Sequence, residues 1–525
     1  MRTKAGQSVS RTRSWLLPAP ADFVFLMLTF SVAVLRGWQA LNTDGDLGRH
    51  LRVGREILAH GLFYSDRFSW TMQGRPFVPY EWGSEVLFAL SHRVAGLPGV
   101  LAVTAIGIAS AYFLLYILLR RLGVDPLLAF GTSIAAGLVG AFHWLARPHV
   151  FSLVMVVGLM FLLETTVDSR QSITARRPLT VDRRPFWTFL LFALWSNLHG
   201  GFLFGLVLIG FYLVGDVIGM VLEHHRVDHR SSLKRHLMLL GAALVGCCIN
   251  PSGPMILPHV AGYLGKTWLV DMTMEYRSPD FHQWYGRVFL MLLVLAVAAL
   301  ALIRRRLSWP HLVVFLGTTA FALHSARNIP LWALTALPLV ALHANPSWRR
   351  IGWTPIAQMR ESFAMGSHMA RPGVWSGMGA AALVGLALSG GTLAGTQLLL
   401  DKLDPGVFPV EVVAHARSEG LQGRMFNELT WGGYILNAWP EQKVFIDGQT
   451  DLYGVTLSKL YASLRSAEPG WKRRLDSLCV EFVLLPADAP LSSALERMPD
   501  WTKADSVNGV LYTRRLPSRA WKRDD

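Results

Sequence analysis

Two aspartates open the first long polar segment of the chain. Asp44 and Asp46 lie two residues apart, directly after the first apolar stretch. Carboxylates at this spacing could act as a general base or hold a divalent metal ion such as Mg²⁺ or Mn²⁺. They could equally be helix caps, because an amphipathic stretch follows them. Glu81, further along the same segment, adds a third acid, unless it is only part of a solvated face.

Three short polar sequences interrupt the apolar runs further along the chain. Their side chains include Arg147 and His149 in the first, His199 in the second, and Arg327 and Asn328 in the third. Ionisable groups at membrane depth are costly and tend to mark functional cavities. If the three sequences converged, they would form a cationic, donor-rich pocket suited to binding a phosphate or pyrophosphate. Each sequence could instead be an anchor at the membrane interface.

The composition identifies the kind of protein that must position these residues. Of the 525 residues, 52% are hydrophobic and only 16% are charged, whereas soluble domains contain about 25% charged residues. The net charge of +15 would ordinarily suggest a nucleic-acid partner. However, residues 399–525 are close to neutral, and residues 1–398 carry the excess in short clusters between hydrophobic runs. This pattern indicates a polytopic α-helical membrane protein with no nucleic-acid partner.

Apolar stretches and basic clusters together predict the topology. A helix needs about 20 apolar residues to cross the bilayer core, and basic loops mark the cytoplasmic side. The chain then crosses eleven times, with its N-terminus inside and its C-terminus outside. The three polar sequences become the outer tips of helical hairpins, at 143–149, 197–201 and 324–328. The predicted single crossings are 21–41, which is retained rather than cleaved, 97–119, 236–250, 287–303 and 375–398, and the hairpins are 127–166, 186–222 and 311–343.

This topology divides the chain into two domains. Residues 1–398 form the transmembrane domain. Its first outer loop, 42–96, contains two amphipathic stretches, 47–59 and 82–93, that suit helices on the membrane surface. Residues 399–525 form a small extracytoplasmic α/β domain. Its predicted strands are 425–426, 434–436, 443–446, 481–485 and 510–513, and its predicted helices are 410–417, 456–464, 471–478 and 491–498.

Other acidic residues fit ordinary loops. Glu275, in the middle outer loop, could be a further acid near the pocket, although a plain loop residue is the simpler interpretation. Asp447 and Asp451 are expected to be turn residues that could line an acceptor entrance. The acidic and histidine-rich segment 223–229 has the composition of a metal cluster, but the neighbouring Arg and Lys side chains would repel a cation.

The order of these features resembles the GT-C superfamily of membrane glycosyltransferases, which use polyprenyl-phosphate-linked sugars. The resemblance rests on one crossing after a short N-terminus, an outer loop that opens with aspartates, many hydrophobic hairpins and a final outer domain. It implies that an aspartate of the first loop is the catalytic carboxylate. Asp46 or Asp44 takes that place, and Asp46 is favoured because it begins the amphipathic stretch.

The C-terminal part is faintly similar to the oligosaccharyltransferase catalytic subunit. Residues 430–434 correspond to that family's Trp-Trp-Asp-Tyr-Gly motif, and residues 444–450 correspond to its Ala-Asp-Gly-containing strand end. Gly433 stands where that family has the aspartate expected to read the acceptor hydroxyl. The tip at 143–149 also lacks the family's second acidic pair. The similarity therefore does not imply glycosylation of asparagine sequons.

These features predict an inverting glycosyltransferase of the cell membrane. It would move a sugar from a polyprenyl-phosphate-linked donor to an extracytoplasmic glycan, lipid or protein. Two other functions stay open: a transporter or flippase of an anionic lipid-linked solute, and a non-catalytic assembly factor acting through residues 399–525. Transporters usually show internal repeats and polar breaks near the bilayer midplane. Here the polar groups cluster at one end of the helices, which favours an enzyme.

Overall fold

The computed structural model describes residues 14–164, 182–223, 229–265, 268, 274–303, 307–505 and 509–514. Some of the basic residues on which the predicted topology rests lie outside the described residues. They comprise the basic segment 1–13, the side chains of Arg170, Arg176, Arg177 and Arg226, and Arg304, Arg305 and Arg306. Most of the histidine-rich segment 223–229 lies outside the described residues too.

Helices make up almost all of the described chain as far as residue 388. They are α1 (Pro20–Phe30), which continues as a π-helix (Ser31–Leu35), α2 (Gly37–Asn42), α3 (Leu47–His60), α4 (Trp82–Arg121), α5 (Pro126–Gly140), α6 (His149–Glu164), α7 (Arg184–Leu198), α8 (Phe202–Leu222), α9 (His229–Cys247), α10 (Ile256–Leu264), α11 (Trp284–Leu302), α12 (Trp309–His324), α13 (Ile329–Trp348), α14 (Thr354–Met369) and α15 (Val374–Leu388).

The chain is a membrane protein by the length and composition of its helices. Five helical segments within the described residues are long and apolar enough to span a bilayer. Three shorter apolar segments accompany them. The count of eleven crossings and their orientation stay predictions. The five segments are Trp82–Arg121, Pro126–His143, Phe202–Leu222, Trp284–Leu302 and Ala326–Trp348, and the shorter ones are Pro20–Leu35, His149–Glu164 and Val374–Leu388.

Two of the predicted crossings are irregular for identifiable reasons. The stretch 21–41 is interrupted at Arg36, whose backbone leaves the helical region between the π-helix and α2. The stretch 375–398 ends as a helix at Leu388, because Gly390 and Gly391 adopt positive φ angles. A short hairpin follows, formed by β1 (Thr392–Leu393) and β2 (Thr396–Gln397).

The two amphipathic stretches of the first outer loop are helical, as predicted. The second one joins the next crossing in α4, with a kink where Gly96 has a φ of +60°. The apolar side of α3, however, is buried within the protein rather than turned towards lipid. Leu47, Leu51 and Val53 are buried because α3 lies between α4 and a helix of the terminal segment.

The terminal segment contains a four-stranded mixed sheet. β3 (Met425–Asn427) is parallel to β4 (Phe482–Leu485), which is antiparallel to β6 (Val510–Arg514), and β5 (Trp501–Asp505) is antiparallel to β6. The strand order is β3-β4-β6-β5. The helices are α16 (Val410–Ser418), α17 (Leu429–Ala438), α18 (Thr450–Arg465), α19 (Trp471–Ser477) and α20 (Pro490–Leu495).

Two predicted strands of the terminal segment are wrong. Residues 434–436 belong to α17, and three consecutive apolar residues are too few to distinguish a strand from a buried helix. Residues 443–446 form only a single bridge, in which Val444 pairs with Ser69 of the first outer loop. β5 was not among the predicted strands, because its polar composition gives it little strand character.

The terminal segment and the first outer loop share one hydrophobic core. Val53 and Ile57 of α3 belong to the same buried cluster as Val412 and Ile435 of the terminal segment. The Trp70 indole of the outer loop also donates a hydrogen bond to the Met425 carbonyl, at 3.0 Å. The loop that carries Asp44 and Asp46 is therefore held in place from the side of the terminal segment.

Candidate active site

The two aspartates of the first outer loop converge on one guanidinium. Asp46 Oδ2 lies 2.5 Å from Arg147 Nη2, and Asp44 Oδ2 lies 2.9 Å from Arg147 Nε. Asp46 is the residue before α3, but its side chain makes no capping hydrogen bond. The helix-cap interpretation therefore fails for Asp46, and the carboxylate is directed to the first hairpin tip instead.

Glu275 joins the first and third hairpin tips. One of its carboxylate oxygens lies 2.9 Å from His143 Nε2 and 3.5 Å from Arg147 Nη1. The other lies 3.6 Å from Arg327 Nη1. The Arg327 guanidinium also stacks over the Tyr276 ring at 4.4 Å. Glu275 is thus the acid that connects these tips, and the simpler interpretation of it as a plain loop residue is wrong.

The second tip reaches the same cluster through histidine rings. The His149 ring lies 4.3 Å from the His143 ring and 6.4 Å from the His199 ring, centre to centre. His199 Nε2 lies 3.6 Å from Glu81 Oε1. The first and second tips therefore contact acids of the first outer loop, and the third tip reaches the same cluster through Glu275. The Asn328 side-chain amide instead donates a hydrogen bond to the Phe321 carbonyl of the preceding helix, at 3.1 Å.

The terminal segment closes one side of Asp46. A methyl group added at Gly448 would overlap Asp46 Oδ1, so this carboxylate oxygen rests directly against the Gly448 α-carbon. Gly433 is in equally close contact with Gly45 and with the backbone at Arg49. A larger side chain at either glycine would push α17 and its following loop away from α3. This close packing gives a physical reason for glycine at position 433.

A second ion cluster lies beneath this contact. Arg49 Nε is 3.3 Å from Asp447 Oδ1, and its Nη1 is 3.5 Å from Glu85 Oε1. The Tyr453 hydroxyl donates to Asp447 Oδ2 at 3.1 Å. Asp447 does accept a turn hydrogen bond from the backbone of Gln449, as expected of a turn residue. It is nevertheless only 1% exposed, and it fastens the terminal segment to α3.

Comparison with known proteins identifies the architecture. No protein-family model matches the chain, and no curated protein matches it significantly. The apo oligosaccharyltransferase of Archaeoglobus fulgidus matches with a TM-score of 0.60 and 12% identity, covering 89% of this chain and 69% of that chain. AglB of Archaeoglobus fulgidus, in complex with an inhibitory peptide and a dolichol-phosphate, gives 0.56 and 12%, covering 95% and 74%. ArnT of Cupriavidus metallidurans, bound to undecaprenyl phosphate, gives 0.49 and 12%, covering 96% and 98%.

The chain has the GT-C fold. In this fold, Asp44 and Asp46 follow the first helical stretch of the chain, and their carboxylates contact Arg147 of the first hairpin tip. At 12% identity the likeness concerns the fold and leaves the reaction to be argued from the site itself.

Burial shifts the pKa values of several acids at this site. It raises the pKa of Asp44 to about 7, an effect that Arg147 opposes and Asp46 reinforces. Burial likewise raises the pKa of Glu81 to about 7. It also penalises the charged form of Glu275, but the cations of Arg327 and Arg147 outweigh it and hold that pKa well below its ordinary value.

The charges of the tips are already compensated by acids. Arg147 contacts three carboxylates and Arg327 contacts one of the same three. The side chains of both arginines are 23% exposed. The tips therefore form a network of paired charges, in which a phosphate would compete with carboxylates for the guanidiniums.

The aspartate pair does not fit a divalent metal ion in this arrangement. The Arg147 guanidinium occupies the position between Asp44 and Asp46 where a cation would bind. Among the described residues, no group of three or more His, Cys, Asp or Glu side chains is placed to hold a metal ion. A metal at the pair would first require Arg147 to move away.

Sequence reasoning missed two residues of the site. Gly448 directly follows the expected turn residue Asp447, and its contact with Asp46 joins positions about 400 residues apart in the chain. Ser152, one turn into α6, was not considered, although its hydroxyl contacts His199 Nδ1 at 2.7 Å. A polar residue three positions after His149 on an otherwise apolar helix was the available signal.

Proposed function

We propose that this protein is a membrane glycosyltransferase. It transfers a sugar from a polyprenyl-phosphate-linked donor to an extracytoplasmic acceptor, with inversion at the anomeric carbon. The observation that carries the proposal is the convergence of Asp44 and Asp46 on Arg147, at the point where three hairpin tips meet in a GT-C fold. Acids that can accept a proton and cations that can bind a phosphate lie within one substrate's reach of each other.

The acceptor's hydroxyl or amine is activated by Asp46. Its nucleophilic atom attacks the anomeric carbon while the bond from that carbon to the phosphate oxygen breaks. The proton of the acceptor passes to the Asp46 carboxylate, and the bonding electrons leave with the lipid phosphate. Asp44 supports Asp46 as a second carboxylate. A single displacement of this kind inverts the configuration of the sugar.

Arg147 and Arg327 provide the positive charge that the leaving phosphate requires. In the structure Arg147 is bound by Asp44 and Asp46. A donor phosphate that binds the Arg147 guanidinium weakens the ion pair between Arg147 and Asp46. The carboxylate then becomes a stronger base at the moment when the donor is in place. Donor binding and base activation are thereby coupled through one side chain.

The donor's tail and the membrane location follow from the same arrangement. The tips stand at the ends of apolar helices, so an isoprenoid chain can lie along those helices while its phosphate reaches the tips. We place the site and residues 399–525 on the extracytoplasmic side of the cell membrane, because the cytoplasmic loops of the predicted topology carry the positive charge excess.

The test is sugar transfer by purified protein in membranes from a labelled polyprenyl-phosphate sugar. Asp46→Asn removes the base, and a loss of about 10²-fold or more is expected. Asp401→Asn is the matched control, because Asp401 is an exposed carboxylate of the terminal segment. Equal transfer by Asp46→Asn, Asp44→Asn and the wild type would overturn the assignment.

The same incubation separates the other functions. Movement of the labelled lipid across the bilayer without a new glycosidic bond indicates a flippase. Neither product nor movement indicates an assembly factor. Either result with wild-type protein rules out the glycosyltransferase.

A further inference from the structure

We propose that His199 acts as a neutral imidazole that presents its Nε2–H to the donor phosphate, and that Ser152 and Trp195 are positioning residues that fix it in this form. The inference rests on the proposed function and goes beyond it, because it separates His199 from the cationic groups of the site.

The hydrogen bonds around Nδ1 determine which nitrogen carries the proton. The backbone N–H of Gly201 donates to His199 Nδ1 at 3.0 Å. A backbone amide can only donate, so Nδ1 must present a lone pair. An imidazolium would direct a second N–H against that amide. The neutral ring therefore carries its proton on Nε2.

A second donor reaches Nδ1 through a relay of two side chains. The Trp195 indole N–H donates to Ser152 Oγ at 2.7 Å. Ser152 Oγ lies 2.7 Å from His199 Nδ1 and can direct its own hydrogen there. Both residues are buried, Trp195 completely, so the relay is shielded from water. A methyl group at Gly201 would overlap Ser152 Oγ and lie 2.7 Å from Nδ1, which explains the glycine at that position.

The surroundings of His199 also disfavour its protonated form. Burial lowers the pKa of His199 well below its ordinary value, and the cations of Arg327 and Arg147 lower it further. The acid that faces the ring is Glu81, 3.6 Å from Nε2. The titratable and charged groups around the ring are Glu81 before α4, His50 of α3, His143, Arg147 and His149 of the first tip, and Arg327 of the third.

His199 Nε2 faces Glu81 Oε1 at 3.6 Å, which is too long for a hydrogen bond. A phosphate oxygen at the tips can accept a hydrogen bond from Nε2–H without displacing one to Glu81. His199 then supplies a directed donor, and the positive charge comes from Arg147 and Arg327. Charge build-up on the phosphate oxygens strengthens the hydrogen bond from Nε2–H in the transition state.

The protonation state is tested directly by nitrogen NMR of histidine-labelled protein. A difference spectrum between the wild type and His199→Gln assigns the ring. The expected result is an unprotonated Nδ1 and a protonated Nε2 across about pH 5 to 8, where a free histidine would titrate. A protonated Nδ1 at neutral pH would overturn the inference. Because this measurement needs no turnover, it stands even if the protein transfers no sugar.

The role of the relay is tested by kinetics. Ser152→Ala is expected to lower kcat about tenfold with little change in the donor's KM, while Ser152→Thr keeps the hydroxyl and most of the rate. Ser133→Ala is the control, because Ser133 is a buried serine whose hydroxyl bonds only to its own helix, at the Ala129 carbonyl. Equal effects of Ser152→Ala and Ser133→Ala would show that Ser152 is only a packing residue.

Two amides distinguish the nitrogens of His199. The Gln side chain places an N–H near the Nε2 position, whereas the Asn side chain ends near Nδ1. His199→Gln is therefore expected to retain at least tenfold more transfer than His199→Asn. The reverse order, or equal rates, would overturn the role of Nε2–H as a donor. If the wild type makes no product, the proposed function fails, and the NMR result still decides the form of the ring.

Discussion

Asp46 Oδ1 rests against the α-carbon of Gly448, about 400 residues further along the chain. The other oxygen of Asp46 binds Arg147 at 2.5 Å. The carboxylate is thus held between a guanidinium of the first hairpin tip and the backbone of the terminal segment. Its orientation depends on both, although neither is close to it in sequence.

Gly448→Ala should therefore displace the Asp46 carboxylate while the fold of the protein is retained. The added methyl overlaps Oδ1, so the carboxylate or the loop must move. We expect transfer to fall by about 10²-fold, since misplacement of a reacting group by about 1 Å has that effect. Gly262→Ala, at an open position of α10, is the control. Full activity of Gly448→Ala would show that the contact does not orient Asp46.

Arg147→Lys should lose most of its sugar-transfer activity, although it keeps the positive charge. The guanidinium reaches Asp44 through Nε and Asp46 through Nη2, which a single ammonium cannot reproduce. We expect a loss of about 10²–10³-fold in kcat for sugar transfer. Arg417→Lys is the control, because Arg417 forms a half-exposed ion pair with Glu441. A lysine variant with near-normal kcat would argue that only the charge at position 147 matters.

Glu275→Gln tests the acid that links the tips. Glu275 contacts His143, Arg147 and Arg327, so the neutral amide leaves two guanidiniums less compensated. We expect a fall of about 10–100-fold in kcat/KM because the tips lose their common anchor. Glu441→Gln, at a half-exposed position, should leave the kinetics unchanged. If the two variants behave alike, Glu275 is a loop residue after all.

The stability of the protein should depend on pH through Asp44. Its pKa is about 7 in the folded chain, against an ordinary value of 3.8, so the folded state holds more protons between these values. Stability therefore falls as the pH rises from about 4 to 7. Asp44→Asn should raise the free energy of unfolding by about 2–4 kcal/mol near pH 8 and by little near pH 4.

Thermal unfolding of detergent-solubilised protein at the two pH values measures this difference. Asp401→Asn, at an exposed position, should change neither value. A gain for Asp44→Asn that is the same at both pH values would contradict an elevated pKa at Asp44.

Ile435→Ala should loosen the first outer loop as well as the terminal segment. Ile435 is fully buried in the cluster that also holds Val53 and Ile57 of α3. Its truncation is expected to cost about 2–5 kcal/mol and to raise amide hydrogen exchange in both α17 and α3. Leu475→Ala is the matched control, because Leu475 is equally buried but lies in the terminal segment's own core. Unchanged exchange in α3 would show that the two segments are energetically independent.

Local patterns in the sequence predict the long apolar helices, although not α10 and α14. Runs of apolar residues predict α5, α6, α8, α11 and α13 because a bilayer spans a fixed number of helical residues. The polar interruptions predict the tips, since an ionisable group among apolar neighbours must be paired or solvated. The aspartates of the first loop, Arg147, His199 and Arg327 were identified for this reason.

The terminal segment was harder to predict. The apolar run at 434–436 is too short for the spacing of its residues to distinguish a strand from a helix, and it is helical in the structure. Residues 443–446 have the composition of a strand, but their partner is Ser69 in the first outer loop. Strand pairing depends on which segments meet, and a single sequence does not encode that meeting locally.

By itself, the sequence determined the membrane class, the long apolar helices and the charged residues that lie between them. These follow from hydropathy and from the cost of an unpaired charge in an apolar setting. Only the tertiary structure decided that Glu275 bridges Arg147 and Arg327, and that Gly448 supports Asp46. Such contacts join distant segments, and their energies depend on distances of a few ångströms that appear only when the chain has folded.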